Sequence, residues 1–407
     1  MTHFHISRKQ LTALLLSVLV LAVSVGLISS QSPAVTELSP VSPPEGKPPE
    51  VSSPSQVSAE TQSFVKAVWV PFMSLNLAGT DRTEQAARKR LTEIFDKIRS
   101  AGADTVFLHV HPFCDALYKS KSFPSSHLLS GQQGKNVSYD FLAIAVTLAR
   151  QRGLKLHAWM NPLRVSYNQT PSAFAENNPY VKWQNDDDIA NDRYTFESNG
   201  NIYLNAAYPA VRRLITDEVR ELVSHYDIDG VVIDDYFYPP DDMECDRAEY
   251  DLYCDAAGET YLSQANWRKG NINTLVSAMY SAVHFTRADC QFGISPQCNL
   301  SNNEKISADV VSWGKINGYA DYLSPQTYVS QSHPYLPFDS SVDQWRSLVC
   351  CPDTRLYISL ALYKVGTDAD NGTWLLKKDN ISSQIDYARK AGADGYALYS
   401  YQDIDKL

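Results

Sequence analysis

DGVVIDDYFYPPDD, residues 229–242, runs three branched apolar residues straight into two adjacent aspartates, then aromatics and a proline pair. Val231, Val232 and Ile233 read as a short buried strand bounded by turn residues. Its end on Asp234 and Asp235 leaves three readings open: a catalytic strand end, a metal site or an acidic strand cap. Working outward, similar apolar runs recur at 65–71, 104–112, 154–162, 290–296, 320–328, 355–363 and 394–401, which makes eight in all. Helical patterns lie between them at 82–102, 139–153, 209–226, 266–285 and 381–392. Several end in a basic residue and a glycine just before the next strand, a helix-stop signal.

The strands are near-continuously apolar, as expected when both faces of a parallel sheet are buried. Eight such β-α units over about 340 residues predict an α/β fold, a (β/α)8 TIM-type barrel. A doubly wound open sheet ranks second, because no Gly-rich phosphate loop follows an early strand. The chain stops just after the eighth strand, so the last helix is expected to be missing or replaced.

The chain of 407 residues is 44% hydrophobic and 11% aromatic, enough to bury a sizeable core. A formal net charge of −10 and the lack of a basic stripe argue against a nucleic-acid partner. Twenty-four tyrosines and seven tryptophans suit either a sugar-binding cleft or an aromatic core. At the N-terminus His5, Arg8 and Lys9 precede LTALLLSVLVLAVSVGLIS, 11–29, nineteen uncharged residues and just long enough to cross a bilayer. The expectation is a signal anchor over 1–30, a single-pass cell-membrane helix with the rest outside the cytoplasm. A cleaved signal peptide, giving a secreted protein, is the alternative. Residues 31–62, with SPVSPPEGKPPEVSSPS, read as a disordered Pro/Ser-rich linker. The barrel domain then spans 63–407.

Among seven cysteines, Cys245 and Cys254 flank an acidic loop and are the candidate disulfide. There is no CxxC pair and no HExxH, so neither a metal nor another cofactor is expected. Composition leaves the oligomeric state open.

In a barrel the C-terminal strand ends meet at one mouth, where active sites form. Here those ends read HVHPFCDALY, HAWMNPLR, DDYFYP, SPQCN and SPQTY, and the long connections 163–208 and 237–265 leave from the same side. Strand alternation puts Val232, Asp234 and Tyr236 on one face and Val231, Ile233 and Asp235 on the other. The Asp-Gly pair at 229–230 resembles the spacing in amylase-like barrels, whose strand-four aspartate is the nucleophile; by that likeness Asp234 faces the substrate. Asp235 then braces the strand end, and both aspartates could instead cap loop amides or pair with Arg164. Glycoside hydrolysis needs two carboxyl groups, and the candidates are Asp234, Asp235 and Asp115, with Glu244 and Glu304 as loop alternatives. His111, Asn161, Arg164, Gln297, Gln326 and Tyr328 suit sugar hydroxyls and N-acetyl groups, Trp159 could stack on a sugar or fill the barrel, and Tyr236 starts a cleft wall. His109 and His157, deeper in their strands, read as core histidines.

The phrases AVWVPF, HVHPFCDALYKSKSFP, KLHAWMNPLRV, LNAAYPAVRRLITDEV, YDIDGVVIDDYFYP, NWRKGNIN, FGISPQ and YLSPQTYVS occur in this order over about residues 64–401. Together they resemble the glycosyl hydrolase-like family 10 barrels of bacterial envelopes, which are distinct from the similarly numbered xylanases. That family includes a divisome-localised enzyme cleaving peptidoglycan strands that lack stem peptides. The resemblance implies a (β/α)8 barrel, an extracytoplasmic location and glycosidase activity. It places Asp234, Asp235, Asp115, Asn161, Arg164 and Gln326 on motif positions. The usual QVRPxGDALY phrase is changed here, with His109, His111 and Cys114 replacing glutamine, arginine and glycine. The expected function is hydrolysis of a cell-wall polysaccharide of peptidoglycan type with Asp234 as main carboxylate; a non-catalytic glycan-binding envelope protein on the same fold is the alternative.

Overall fold

The computed structural model describes residues 63–75, 81–377 and 379–407. Eight parallel strands close a barrel in sequential order: β1 Val65–Val70, β2 Thr105–His111, β3 Lys155–Met160, β4 Gly230–Ile233, β5 Gln291–Ile294, β6 Tyr322–Leu323, β7 Arg355–Ala361 and β8 Gly395–Tyr399. Each lies within one of the eight apolar runs. The outer helices are α1 Glu84–Ser100, α2 Phe141–Gln151, α3 Pro209–His225, α4 Gln264–Thr286, α5 Val310–Lys315, α6 Phe338–Leu348 and α7 Asn380–Lys390. The short α5 and the amphipathic α6, which buries Phe338, Val342, Trp345 and Leu348, were not predicted. A 3-10 helix, Tyr401–Lys406, follows β8 and packs on α1.

The aspartate that precedes every second strand has a common task. Asp104, Asp229, Asp321 and Asp394 accept hydrogen bonds from the backbone N–H of Lys66, Leu156, Phe292 and Leu356, at 3.2, 2.8, 2.6 and 2.9 Å. Each clamps the start of the preceding strand at the N-terminal end of the barrel, opposite the mouth. Gly230, beside Asp229, is required by packing: a Cβ there would lie 2.5 Å from the imidazole of His157.

Alternation along the strands creates two cores. Val231 and Ile233 join the large apolar layer between barrel and helices, whereas Val232 points inward. Inside, Ala67, Trp69, Phe107, Trp159, Val232, Tyr322, Tyr357 and Ala397 fill the barrel. Trp69 meets Phe107 and Trp159 edge-on at 4.6 and 4.9 Å, and Tyr322 stacks on Tyr357 at 4.5 Å. His157 is the core histidine expected, its Nδ1 2.8 Å from the Tyr322 hydroxyl; burial pushes its pKa down to about 3. The barrel therefore has a plugged aromatic floor, which separates the mouth from the N-terminal end of the strands.

Two expectations are corrected. Among the described residues no helix is long and apolar enough to cross a membrane, and the run 11–29 lies outside the described residues, as does the linker 31–62. The expected anchor helix, membrane partner and single-pass location therefore find no support among the described residues. The expected Cys245–Cys254 disulfide does not form either, for all seven cysteines are free thiols. The Cys245 Sγ lies 3.4 Å from both the Asp242 carbonyl and the Arg268 guanidinium. Cys254 sits in the Arg247–Ala257 helix.

Candidate active site

β4 ends at Ile233, and beyond it the chain turns, Phe237 N–H donating to the Asp235 carbonyl at 3.0 Å. Strict alternation ends with the strand, so Asp234 and Asp235 both line one mouth cavity of about 470 Å³. The cavity is walled largely by aromatic side chains, among them Trp69, Phe72, Trp159, Tyr328 and Tyr399. The separation of the two aspartates onto opposite faces, expected from an ideal strand, is thus not observed.

Asp234 sits deep, 4% exposed. Trp159 Nε1 donates to its Oδ2 at 3.1 Å and Asn161 Nδ2 donates to its Oδ1. Asn161 is itself held by Arg164 and by His109, whose Nε2 is 2.9 Å from the Asn161 Oδ1. Burial drives the pKa of His109 well below its ordinary value, with the Arg164 charge adding to the effect. A neutral ring bonded to a carbonyl oxygen carries its proton on Nε2, so Nδ1 is an acceptor, buried and without a protein partner. Arg164 also donates from Nε to the Pro112 carbonyl at 2.8 Å and lies between the rings of Phe113 and Tyr236, 4.7 and 4.4 Å from their centroids. The result is a rigid relay in which three strand ends aim one carboxyl group into the cavity.

Asp235 is half-buried, with Gln326 Nε2 donating to its Oδ1 at 2.8 Å. Burial, and then the charge of Asp235, push Asp234 up to about 8 against the pull of Arg164, Trp159 and Asn161. Burial also raises Asp235, which the Gln326 and Gln297 amides partly offset. Two like charges side by side in a poorly solvated site cannot both ionise freely, so near neutral pH the pair keeps a proton. We expect kcat/KM to fall as pH rises through about 8, where that proton is lost; a pH–rate profile without an alkaline limb would contradict this.

The remaining sequence candidates divide. Trp159, Arg164, Tyr236, Gln326 and Tyr328 line the cavity, and Asn161 supports it from below. Gln297 acts on Asp235 from behind. His111 and Asp115 do not line it. A register shift between His109 and His111 sets His111 opposite Met160, an outer-layer position. Its ring turns onto Phe123 at 4.6 Å, and burial lowers its pKa to about 4. Asp115 is fully buried between Gln133 Nε2 and His127 Nδ1, each at 3.2 Å, and braces the strand-two loop. Glu304 pairs with Lys269, and Glu244 does not line the cavity.

Sequence reasoning missed His109 as a lining group, and with it Trp69, Pro71 and Phe72 at the end of β1, and Tyr363 and Tyr399 by β7 and β8. The phrases WVPF and LYSY carried that signal, since every strand end of a barrel faces the mouth. Of the two long connections, the first lends Arg164 and Tyr167 to the cavity lining, and no residue of 237–265 lines it. The first folds into a hairpin, Thr195–Ser198 with Asn201–Leu204, whose Phe196 stacks on Tyr238 at 5.9 Å.

An aromatic mouth around a buried acid pair on strand four of a (β/α)8 barrel defines a glycoside hydrolase type of site. Residues 65–375 match the family described as Glycosyl hydrolase-like 10, and the chain belongs to that family. It is 30% identical over 353 residues to the Glycosyl hydrolase DigH of Escherichia coli strain K12, covering 80% of this chain and 79% of that one. It is 29% identical over 343 residues to the Glycosyl hydrolase YngK of Bacillus subtilis strain 168, covering 79% of this chain and 65% of that one. Among solved structures, the PgaB (BpsB) glycoside hydrolase domain from Bordetella bronchiseptica superimposes with a TM-score of 0.56 at 15% identity, over 84% of this chain and 95% of that one. The endo-1,4-beta-mannanase from Rhizomucor miehei gives 0.51 at 10% identity, over 83% and 86%. These two likenesses concern the fold alone. The protein is an enzyme, a glycoside hydrolase acting on sugar substrates.

Proposed function

We propose that residues 63–407 form a catalytic unit that hydrolyses glycan strands of the peptidoglycan type, with Asp234 as the principal catalytic carboxylate. The observation that carries the assignment is the position of Asp234, which reaches the aromatic cavity while Trp159 and Asn161 fix both its oxygens. Pre-oriented polar groups in a poorly hydrated site stabilise developing charge with little reorganisation. Asp235 shares the proton of the pair, and Trp69, Trp159 and Tyr236 offer ring faces and edges on which sugars stack. The substrate class rests on the resemblance carried by the ordered motif phrases, from HAWMNPLR to DDYFYP.

Mass spectrometry of soluble products tests this reading. Purified strands stripped of stem peptides should yield glycan fragments, and peptide-bearing strands fewer. Binding to wall material without any release of fragments, or equal cleavage of glucose or mannose polymers, would overturn the substrate assignment.

A further inference from the structure

We infer that the nucleophile is the 2-acetamido group of the sugar whose bond is cut, that Asp234 receives its N–H, and that Asp235 donates the proton to the leaving oxygen. The inference rests on the glycan reading above and deepens it, since it demands an N-acetylhexosamine at the cleavage point.

It starts from where the acids are. Hydrolysis by two carboxyl groups needs them on either side of the scissile bond, about 5–5.5 Å apart for retention and about 6.5–9.5 Å for inversion. Asp234 and Asp235 are consecutive, with Cα atoms about 3.8 Å apart, and leave one strand end on one wall. No other described residue lining the cavity is an acid. The stretch 76–80, which follows the β1 wall in sequence, reads NLAGT and holds none. Asp115 is sealed in the strand-two loop. A carboxylate nucleophile facing this pair is therefore absent among the described residues, and the substrate must supply the attacking atom.

The cavity suits an acetamide in that role. Each Asp234 oxygen accepts one protein hydrogen bond and has a second lone pair available. The amide N–H can donate there while the acetyl methyl rests against the Trp69 and Trp159 rings, which meet at 4.9 Å beside it. Asp235, the less buried of the two, lies nearer the open side where a leaving sugar must sit. The acetamido carbonyl oxygen then bonds to C1 as the C1–O glycosidic bond breaks, and the leaving oxygen takes the Asp235 proton. Asp234 stabilises the positive charge on the resulting oxazolinium N–H. Water next bonds to C1, its proton passes to Asp235, and the ring opens to restore the acetamide, with retained configuration.

The experiment uses the full chain on peptide-free strands and on N-acetylglucosamine oligomers, with a thiazoline analogue of the cyclic intermediate as inhibitor and NMR to read the first anomer released. Competitive inhibition and a retained anomer are expected. N-Trifluoroacetyl substrates should be slower by about 10-fold or more, because a weaker carbonyl nucleophile raises only the transition state. Asp235→Asn should lose far less activity on dinitrophenyl N-acetylglucosaminide, whose leaving group needs no proton, than on glycan strands, whereas Asp234→Asn should lose activity equally on both. An inverted product, or cleavage of strands indifferent to the thiazoline, overturns the acetamide mechanism and leaves the peptidoglycan reading intact. Cleavage of the oligomers alone, with thiazoline inhibition, sinks the peptidoglycan reading and keeps the mechanism. No turnover of any 2-acetamido glycan overturns both.

Discussion

Asp234→Asn is expected to lower kcat/KM on peptide-free glycan strands by about 10³-fold or more, a barrier increase of about 4 kcal/mol. The replacement is nearly isosteric but chemically wrong for its niche. Trp159 Nε1 and Asn161 Nδ2 both donate to Asp234, and an asparagine offers them one acceptor oxygen and one competing donor. Asn161 cannot turn its amide over to compensate, because its Oδ1 is already engaged by His109 and Arg164. Stability should move the other way. The folded pKa of Asp234 is raised to about 8 from an ordinary 3.8, so between these values the folded state holds more protons than the unfolded one. Linkage then makes the wild type lose stability as pH rises across that window. The asparagine has no such proton to lose. Its unfolding midpoint relative to wild type should therefore climb between about pH 4 and pH 8. Loss of activity together with that climb would separate a catalytic carboxylate from a structural one. An Asp234→Asn protein that still releases reducing ends at an undiminished rate would falsify the assignment.

The barrel was legible because β-strand and helix leave different periods, and because both faces of each strand are buried. The runs VKAVWV and RLYISLA could hardly be anything but central strands. What escaped is instructive in physical terms. α5 is short and buries only Val310, Trp313 and Gly314, whereas α6 carries a full apolar stripe, Phe338, Val342, Trp345 and Leu348, that was overlooked. Asp234, Tyr236 and Tyr328 were readable as mouth residues from their strand ends, whereas the aromatics at the ends of β1, β7 and β8 were overlooked. The fates of Asp235 and His111 were not readable, for both depend on departures from ideal strand geometry. β4 stops one residue before Asp234, which brings Asp235 into the cavity with it. The irregularity between His109 and His111 turns the second histidine out while keeping the first in. Neither departure falls on a glycine or proline, although Pro112 directly follows His111. Asp115 misled for a related reason, since a loop-bracing aspartate and a catalytic one share the same strand-end address. The cysteines show the limit of spacing arguments: nearness in sequence did not bring Cys245 and Cys254 together, because the Cys245 thiol is drawn toward Arg268.

Arg268 is also where the largest loss of stability is expected. Its guanidinium, on α4, is almost completely buried and binds Asp246 through Nε at 3.0 and 2.9 Å and through Nη2. It donates further to the Asp242 carbonyl at 2.8 Å and lies 4.7 Å from the Tyr238 ring centroid. One side chain thus ties 238–246, the segment that follows the catalytic pair, to the barrel helix behind it. Through Tyr238 the tie extends to Phe196 and the hairpin wall. Arg268→Met fills similar volume but strips Asp246 of its counter-charge, leaving it a single amide from Gln264 at 2.9 Å. Breaking a buried pair on one side costs about 3–5 kcal/mol, because the stranded charge keeps its desolvation penalty. Denaturant unfolding should therefore show a large fall in midpoint for Arg268→Met. Arg247→Met, which removes an exposed pair with Asp251 on the adjacent helix, should leave the midpoint in place, since solvent already screens that interaction. The double change Arg268→Met with Asp246→Leu removes both charges and should recover much of the loss. Equal midpoints for the two single variants would show that the buried pair does not hold the cleft wall, whereas recovery in the double variant would locate the cost in the uncompensated carboxylate.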